Sequence, residues 1–403
     1  MLTFVYSARD TATNKIVKST VQADSEGAAA KLLMSRNLVP INIVPEADKA
    51  NFLDKLKNRV GTKDRVIFSR QLATLINAGL PLTQSLHTVQ EQTTNAKLKG
   101  IIQDITSSVE GGKTLADSFA QHDIFGDLYI ALIAAGEVSG TLDKALERIA
   151  DQQEKDAEIV SKVRGAMVYP AIVLVVILLV IMFMLTTVVP QIETLYDSMN
   201  KELPFLTNIM VQTGNFVSGF GGLVLLAVVG VGFFFLNRHA KTETGRRQMD
   251  TLKVNMPLFG DLFRKLYMAR FCRTGETLLQ SGVQMLEMLR IAGRSVGNVL
   301  VKDSIDRASE KVKAGKPLSS SIKTEDYILP LVPQMIGIGE QSGNIDAMMG
   351  KAATFYEGEV DDAIKNISTA IEPILMVALA VVAGGMVGAI LMPIYGLAGE
   401  TTL

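Results

Sequence analysis

"GEVSGTLD", residues 136–143, recurs almost unchanged as "GEQSGNID", residues 339–346. The two stretches lie 203 positions apart, and the same offset places Pro170 on Pro373. The match runs without a gap from residue 68 to residue 190. Agreement of this length at one constant offset indicates a duplicated unit.

Each copy of this motif predicts the end of one helix and the start of another. A glutamate ends the first helix, and a serine and a glycine form the turn. An aspartate then falls in the first turn of the next helix, where the helix dipole favours a carboxylate. Thr141 and Asn344 precede the second helix as favourable N-caps. The residues predicted to form these turns are Gly136, Glu137, Ser139, Gly140 and Asp143 in the first copy and Gly339, Glu340, Ser342, Gly343 and Asp346 in the second.

The carboxylates of the motif also have functional interpretations. An acid–base pair is disfavoured, because no nucleophile or histidine accompanies these carboxylates. A bound cation, or contact with a basic side chain of a partner, is a further alternative.

A Gly-Lys-Thr sequence, ending at Thr114, resembles the end of a phosphate-binding P-loop. A P-loop requires a glycine where this chain has Ser107, and it follows a strand, whereas the isoleucines upstream have helical spacing. In the second copy, Pro317 replaces the hydroxyl that would bind magnesium. The pattern therefore predicts a helix end and a new helix capped by Thr114. The glycines predicted to end helices here and earlier in each copy are Gly79, Gly112, Gly282 and Gly315.

Three charge-free apolar stretches, of 19, 21 and 19 residues, occupy 171–189, 216–236 and 374–392. Each is long enough to cross the hydrocarbon core of a bilayer as a helix. The first and third correspond in the repeat, and the middle stretch has no counterpart. A middle span returns the chain so that both copies of the repeat face the same side of the membrane.

Charge indicates the orientation of these spans. Residues 191–215 carry one lysine against three acidic residues, whereas residues 237–247 carry four arginines and lysines. The N-terminus and the helical bundles are therefore predicted to be cytoplasmic. The loop and the C-terminus are predicted to lie on the far side of the membrane.

Composition argues against several other classes of protein. Arginine and lysine total 40 against 41 aspartate and glutamate residues, so nothing favours nucleic-acid binding. Cys272 is the only cysteine and the three histidines lie far apart, so we expect neither a disulfide nor a metal site. No catalytic constellation or cofactor motif is present, and the N-terminus lacks an export signal.

Residues 1–45 read as two strands, a helix and a third strand, a small ββαβ unit. Residues 51–60 form a predicted amphipathic helix for the membrane surface or for docking, with a plain linker as the alternative. The sequence thus predicts an all-α membrane protein with two homologous cytoplasmic helical bundles and three transmembrane helices, plus a small N-terminal α+β domain. The predicted boundaries are 1–45, a linker at 46–63, the first bundle at 64–167, span 1 at 168–190, a periplasmic loop at 191–215, span 2 at 216–236, a connector at 237–266, the second bundle at 267–370, span 3 at 371–393 and a periplasmic tail at 394–403.

The three apolar stretches contain no ionisable residue, and Glu372 lies just at the edge of the third, which argues against a transporter or a proton relay. Ala380, Gly384 and Gly388 form a row of small residues in the third span. Such a row allows close helix packing, which we expect within the chain in preference to between chains.

Several stretches together resemble one known family. They include "FSRQLATLINAGLPLTQSL", both copies of the turn motif, "FYEGEVD" and "IEPILMV". They are similar to the PilC/GspF family, the inner-membrane platform proteins of bacterial type IV pilus and type II secretion systems. The resemblance covers nearly the whole chain and is looser in the N-terminal domain.

The resemblance implies a non-enzymatic, multi-pass platform, a homo-oligomer in the bacterial inner membrane. Its implied partners are a cytoplasmic hexameric assembly ATPase, pilin or pseudopilin subunits and other inner-membrane assembly proteins. A type IV pilus is the favoured system, type II secretion is the alternative, and a transporter is the alternative of another class. Glu154 and Glu357, on helices that lead into spans, are predicted ATPase contacts, unless these acidic faces serve only to solvate the helices.

Overall fold

The computed structural model describes residues 2–10, 16–23, 26–35, 38–45, 59–198, 205–240 and 242–400. Residues 46–58 lie outside the described residues, and with them most of the predicted linker helix. The N-terminal unit has the predicted order of elements: β1 (Leu2–Asp10), β2 (Ile16–Ala23), α1 (Glu26–Met34) and β3 (Leu38–Pro45). Its antiparallel sheet has the order β2-β1-β3, with a bulge between Ser7 and Ala8.

The duplicated unit appears as two sets of helices at the same offset. The first set is α2 (Thr62–Asn77), α3 (Leu82–Gln92), α4 (Ala96–Glu110), α5 (Leu115–Ala120) and α6 (Asp127–Ser139), followed by α7 (Leu142–Phe183). The chain continues through a π-helical segment (Met184–Val188), α8 (Val189–Ser198), α9 (Phe205–Ser218), α10 (Phe220–His239) and α11 (Glu243–Asn255). The second set is α12 (Gly260–Gln280), α13 (Met285–Ser295), α14 (Val299–Lys313), α15 (Leu318–Lys323), α16 (Leu331–Ser342) and α17 (Ile345–Glu400).

The two bundles share one hydrophobic core. Phe68 and Phe271, which correspond in the repeat, are both fully buried in it. Cys272 is also buried there, and burial raises the pKa of its thiol, which keeps the thiol protonated. The bundles therefore form one packed body, held together first by the apolar area that they bury against each other.

The helices α7 and α17 leave the bundles and continue into the predicted first and third spans. The continuous helical segment Leu142–Ser198 and residues Ile345–Gly388 of α17 are long and apolar enough to cross a membrane. Within the bundles α7 packs on α2, α17 packs on α12, and the two long helices contact each other. Each contains a proline, Pro170 and Pro373, at the same position of the repeat.

The region between the first two predicted spans is more helical than expected. Of the predicted loop 191–215, the described residues lie in α8 and α9. The helix α9 packs against the π-helical segment, where a Cβ on Gly214 would lie 2.7 Å from the carbonyl oxygen of Leu185. The helix α10 has 20 residues, about 30 Å, which matches the thickness of a hydrocarbon core. A middle crossing remains a prediction.

Candidate functional site

The predicted helix-ending glycines lie in left-handed backbone conformations. Gly140 ends α6 with φ of 68° and Gly343 ends α16 with φ of 74°. An added Cβ at either position would have nothing within 4 Å, so the dihedral angle alone explains the need for glycine. The other glycines predicted to end helices have φ angles of 84°, 88°, 79° and 85° at Gly79, Gly112, Gly282 and Gly315.

The first glycine of each motif has a different role. A Cβ on Gly136 would lie 2.6 Å from the Cβ of Ala145, and a Cβ on Gly339 would lie 2.7 Å from the Cα of Ile345. These contacts are too short for a side chain. Gly136 and Gly339 therefore let the helices on either side of the turn approach closely, which the sequence analysis did not predict.

The motif glutamates cap a helix that begins 22 residues earlier in the chain. Glu137 accepts hydrogen bonds from the backbone N–H groups of Leu115, at 2.5 Å, and Ala116, at 3.0 Å. Glu340 accepts the equivalent bonds from Leu318, at 2.5 Å, and Ser319, at 3.3 Å. A carboxylate at a helix N-terminus satisfies unpaired N–H groups and the helix dipole. The geometry therefore gives both glutamates an architectural role.

This contact also bears on the Gly-Lys-Thr sequence. In a P-loop the first N–H groups of the helix face a phosphate. Here Glu137 occupies two of them, and the N–H of Asp117 donates to the Thr114 hydroxyl at 3.0 Å. The prediction that Thr114 is an N-cap is confirmed.

The second N-cap prediction is wrong for Thr141. Its side chain makes no capping bond and lies 2.7 Å from the hydroxyl of Ser139 instead. The Ser342 hydroxyl donates to the carbonyl of Ile338, and the Asn344 side-chain amide donates to the Ser342 carbonyl at 3.1 Å. The polar side chains of the turn therefore form their hydrogen bonds within the turn itself. Asp143 and Asp346 lie in the first helical turns, as expected.

The predicted ATPase contacts form ion pairs inside each bundle. Arg70 binds Glu154 through two bonds of 2.6 Å, and Arg273 binds Glu357 through bonds of 2.8 and 2.7 Å. Hydrogen bonding to Arg70 lowers the pKa of Glu154. The Glu154 side chain is 44% exposed but that of Glu357 only 18%, so the alternative in which the acidic face serves only to solvate the helix does not fit Glu357.

The difference arises because α7 of the first bundle covers the second pair. Lys155 on α7 lies 3.5 Å from Glu357, and Lys162 lies 2.8 Å from Asp361 on α17. We call this polar contact between α7, α12 and α17 the inter-bundle seam. At its other end Arg148 donates to the hydroxyl of Ser281 at 2.7 Å. The seam ties together the two helices that lead to predicted spans. Sequence reasoning missed it, because no local pattern relates residues about 200 positions apart.

The row of small residues in the third span does not pack within the described part of the chain. An added Cβ at Gly384 or Gly388 would have nothing within 4 Å, and Ala380 is exposed. Other residues of this span, Val382 and Met386, line a cleft with α7 and α9 instead. The described residues thus show no packing of this row within the chain, and both packing within the chain and packing between chains stay predictions.

Comparison with known protein families follows the same division of the chain. The model of type II secretion system protein F matches twice, at residues 68–190 and 271–393. The model of its N-terminal domain matches residues 1–44. The chain belongs to the type II secretion system protein F family. The two matches of this family lie 203 positions apart, the offset of the internal repeat.

Curated relatives of the family come from two kinds of machinery. The type IV pilus assembly protein PilC of Thermus thermophilus is 37% identical over 100% of both chains. PilC of Pseudomonas aeruginosa is 34% identical over 84% of this chain and 91% of its own. The type II secretion system protein F of Aeromonas hydrophila is 32% identical over 93% of this chain and 98% of its own.

Proposed function

We propose that this protein is the inner-membrane platform of a type IV pilus. In this proposal it couples a cytoplasmic hexameric ATPase to the extraction and polymerisation of pilin subunits. It has no catalytic activity of its own, and its N-terminus lies in the cytoplasm and its C-terminus in the periplasm. The relatives named PilC support the choice of machinery.

The observation that carries the proposal is the continuity of α7 and α17. Each begins in a bundle, at the turn motif, and runs without interruption into an apolar segment long enough to span a membrane. A movement imposed on a bundle therefore displaces a span directly. The inter-bundle seam joins the two helices, so that the bundles move together.

A platform without its own energy source must bind no nucleotide. We expect the purified protein to show no saturable, magnesium-dependent ATP binding. Lys113→Ala should leave this result unchanged, because the backbone N–H groups of Leu115 and Ala116, which follow Lys113, already donate to Glu137. ATP binding that disappears in Lys113→Ala would contradict the proposal.

Docking of the ATPase on the acidic faces of α7 and α17 can be tested by charge reversal. Glu154→Lys and Glu357→Lys together should weaken ATPase binding in a pull-down with the full chain in detergent, and should stop fibre assembly in cells. Because each glutamate also holds an arginine, these reversals disturb internal ion pairs as well. A control must therefore separate docking from folding.

The ion pair of Arg70 and Glu154, the more exposed of the two pairs, supplies that control. Exchanging the charges, with Arg70→Glu and Glu154→Lys in one chain, restores an internal ion pair while the glutamate at 154 stays absent. Asp151→Asn is added in the same chain, because Asp151 binds Arg70 at 2.5 Å and would repel a carboxylate at position 70. If the ATPase contacts Glu154, the exchanged variant remains defective in binding. If the exchanged variant binds the ATPase as wild type does, Glu154 acts only within the bundle and is not a docking residue.

The type II secretion platform is the second candidate, because relatives of both kinds cover most of the chain. Expression in two deletion strains distinguishes them. We expect the chain to restore surface fibres in a strain lacking its PilC, and not to restore protein secretion in a strain lacking protein F. The opposite pattern would assign the chain to secretion.

A further inference from the structure

The helix α11 begins directly at the end of α10, the predicted middle span. The Thr242 hydroxyl accepts the N–H of Gly245 at 3.1 Å, and His239 Nε2 lies 3.1 Å from Gln248 Oε1. A Cβ on Gly245 would lie 1.9 Å from the carbonyl oxygen of His239. The first turn of α11 is therefore pressed against the last turn of α10.

One face of α11 packs on the second bundle. Val254 is buried in the shared core, and the Asp250 carboxylate accepts the N–H of Val299 at 3.0 Å. Lys253 pairs with Asp250 at 2.9 Å. These contacts fix the rotation of α11 about its axis.

The opposite face carries a stripe of exposed apolar side chains. Met249, Leu252 and Met256 are 41%, 56% and 37% exposed. Met249 and Leu252 follow Gly245 at i+4 and i+7, so that they continue the face on which Gly245 meets the end of α10. Met256 follows directly after the last residue of α11. The stripe therefore faces the side of the bundle from which the span arrives.

Positive charge surrounds the junction of α10 and α11. Residues 238–247 include four arginines and lysines against the single acidic residue Glu243. Within the described part of the chain, Arg238 and Arg246 form no ion pair, whereas Arg247 lies 3.7 Å from Asp303. Arg246 flanks the apolar stripe. Two cations next to exposed apolar side chains at the end of a span match the surface of an anionic bilayer.

We propose that α11 lies on the membrane surface, with Met249, Leu252 and Met256 between the headgroups and acyl chains, and with Arg238 and Arg246 on anionic phospholipid headgroups. The helix thereby anchors the second bundle to the membrane beside the middle span. This assignment does not depend on which ATPase or pilin the protein serves.

The absence of tryptophan from the sequence allows a direct test. Leu252→Trp places a single tryptophan in the stripe of the full chain, and it is excited at wavelengths that tyrosine does not absorb. The protein is reconstituted in vesicles of phosphatidylglycerol and phosphatidylcholine with brominated acyl chains. We expect blue-shifted emission and strong quenching by the bromines. Met249→Trp is a second probe, in case Leu252→Trp does not fold.

Val138→Trp is the matched control. Val138 is also an exposed apolar residue, at 92%, and it lies beside the start of α7, about 39 Å along that helix from the predicted membrane boundary at residue 168. We expect red-shifted emission there and no bromine quenching. Solvent-like, unquenched emission from position 252 as well would overturn the proposal. Blue-shifted but unquenched emission would also overturn it, because another protein surface would then cover the stripe.

The contact of Arg238 and Arg246 with anionic headgroups is tested by a separate measurement. Replacing phosphatidylglycerol by phosphatidylcholine should reduce quenching at position 252, and the reduction should disappear when Arg238→Gln and Arg246→Gln are added. Quenching that is independent of anionic lipid in both backgrounds would refute the assignment of these arginines to headgroups.

Discussion

Arg273 and Glu357 form a two-pronged ion pair, with bonds of 2.8 and 2.7 Å, in the place where the first copy of the repeat has Arg70 and Glu154. Each arginine also binds a second carboxylate, at 2.5 Å in the first copy and 2.6 Å in the second, and these second partners lie at different positions of the repeat. The glutamate pair itself is shared by both copies, and α7 covers only the second one, so comparing the two pairs shows how burial affects an arginine–glutamate pair.

We predict that Glu357→Gln destabilises the protein more than Glu154→Gln does. The partly buried charge of Arg273 would keep its bond to Glu276, at 2.6 Å, but lose both bonds to Glu357, at a cost of about 1.5–3 kcal/mol. The exposed pair is worth less than about 1 kcal/mol, because water screens it. Thermal unfolding of both variants in the same detergent checks the order, and equal shifts would show that α7 does not shield the second pair.

Loss of the glutamate caps should weaken α5 and α15. Glu137→Gln keeps the size of the side chain but removes the charge that binds two N–H groups. We expect Glu137→Gln and Glu340→Gln each to lower the stability of the capped helix by about 1 kcal/mol, whether or not the other substitution is present. Hydrogen exchange of the amides of Leu115 and Leu318 is the measurement. Unchanged protection of Leu115 in Glu137→Gln and of Leu318 in Glu340→Gln would contradict the capping role.

The turn glycines should tolerate asparagine better than valine. Gly140→Val forces a β-branched residue into a left-handed conformation, which costs about 1–2 kcal/mol, whereas asparagine enters this region more easily. A Cβ at position 140 would have nothing within 4 Å, so the backbone conformation is the main cost of either substitution. Equal melting temperatures for Gly140→Val and Gly140→Asn in the full chain would contradict this account.

The stability of the second bundle should depend on the ionisation of Glu325. Burial opposes ionisation, but the hydrogen bonds of Lys311 and Arg307, at 2.9 Å each, hold the pKa of this carboxyl below its ordinary value of 4.5. A lowered pKa in the folded state contributes stability above pH 4.5, and that contribution is lost as the pH falls through the folded-state pKa.

The pH dependence is measured as the difference in stability between wild type and Glu325→Gln. We expect about 2 kcal/mol near neutral pH, shrinking toward zero in acid. The control is Glu310→Gln on α14, since Glu310 is exposed and has no ion pair among the described residues. A difference that stays constant with pH would mean that the amide acts through packing alone.

Membrane orientation can be tested with introduced cysteines. Ser198→Cys and Thr402→Cys should react with a membrane-impermeant thiol reagent from outside the inner membrane. Position 402 lies outside the described residues. Ser320→Cys, on an exposed turn of α15, should react only after the cells are opened. The native Cys272 is buried, so its background is low. Labelling of position 320 in intact cells would reverse the predicted topology.

The sequence predicted the helices well, because interactions between neighbouring residues determine where each helix ends. Gly112 and Thr114 mark a boundary through backbone freedom and a side-chain cap, and both properties are readable from neighbouring residues. Because the repeat has a constant offset, each predicted helix end could be compared with its counterpart in the other copy. The helical structure within 191–215 was missed, since only its apolar flanks were considered.

The contacts of the candidate site were less predictable. Glu137 caps a helix that starts 22 residues earlier, and Lys162 meets Asp361 across the inter-bundle seam. Such pairings depend on how the bundles pack, and a repeat gives no sign of how its copies meet. The repeat did carry one usable signal, because the spacing between Glu137 and Leu115 recurs between Glu340 and Leu318.

The prolines of the two long helices have a mechanical consequence. Pro170 and Pro373 lack an N–H, so the carbonyls of Ala166 and Thr369 lose their helical partners at the same height in both helices. A helix bends more easily where one of its backbone hydrogen bonds is absent. Both helices therefore bend more easily at the same height, close to the predicted boundary between the bundles and the spans. A push along the helices is transmitted to the spans, whereas a sideways load on the bundles first bends both helices at this height.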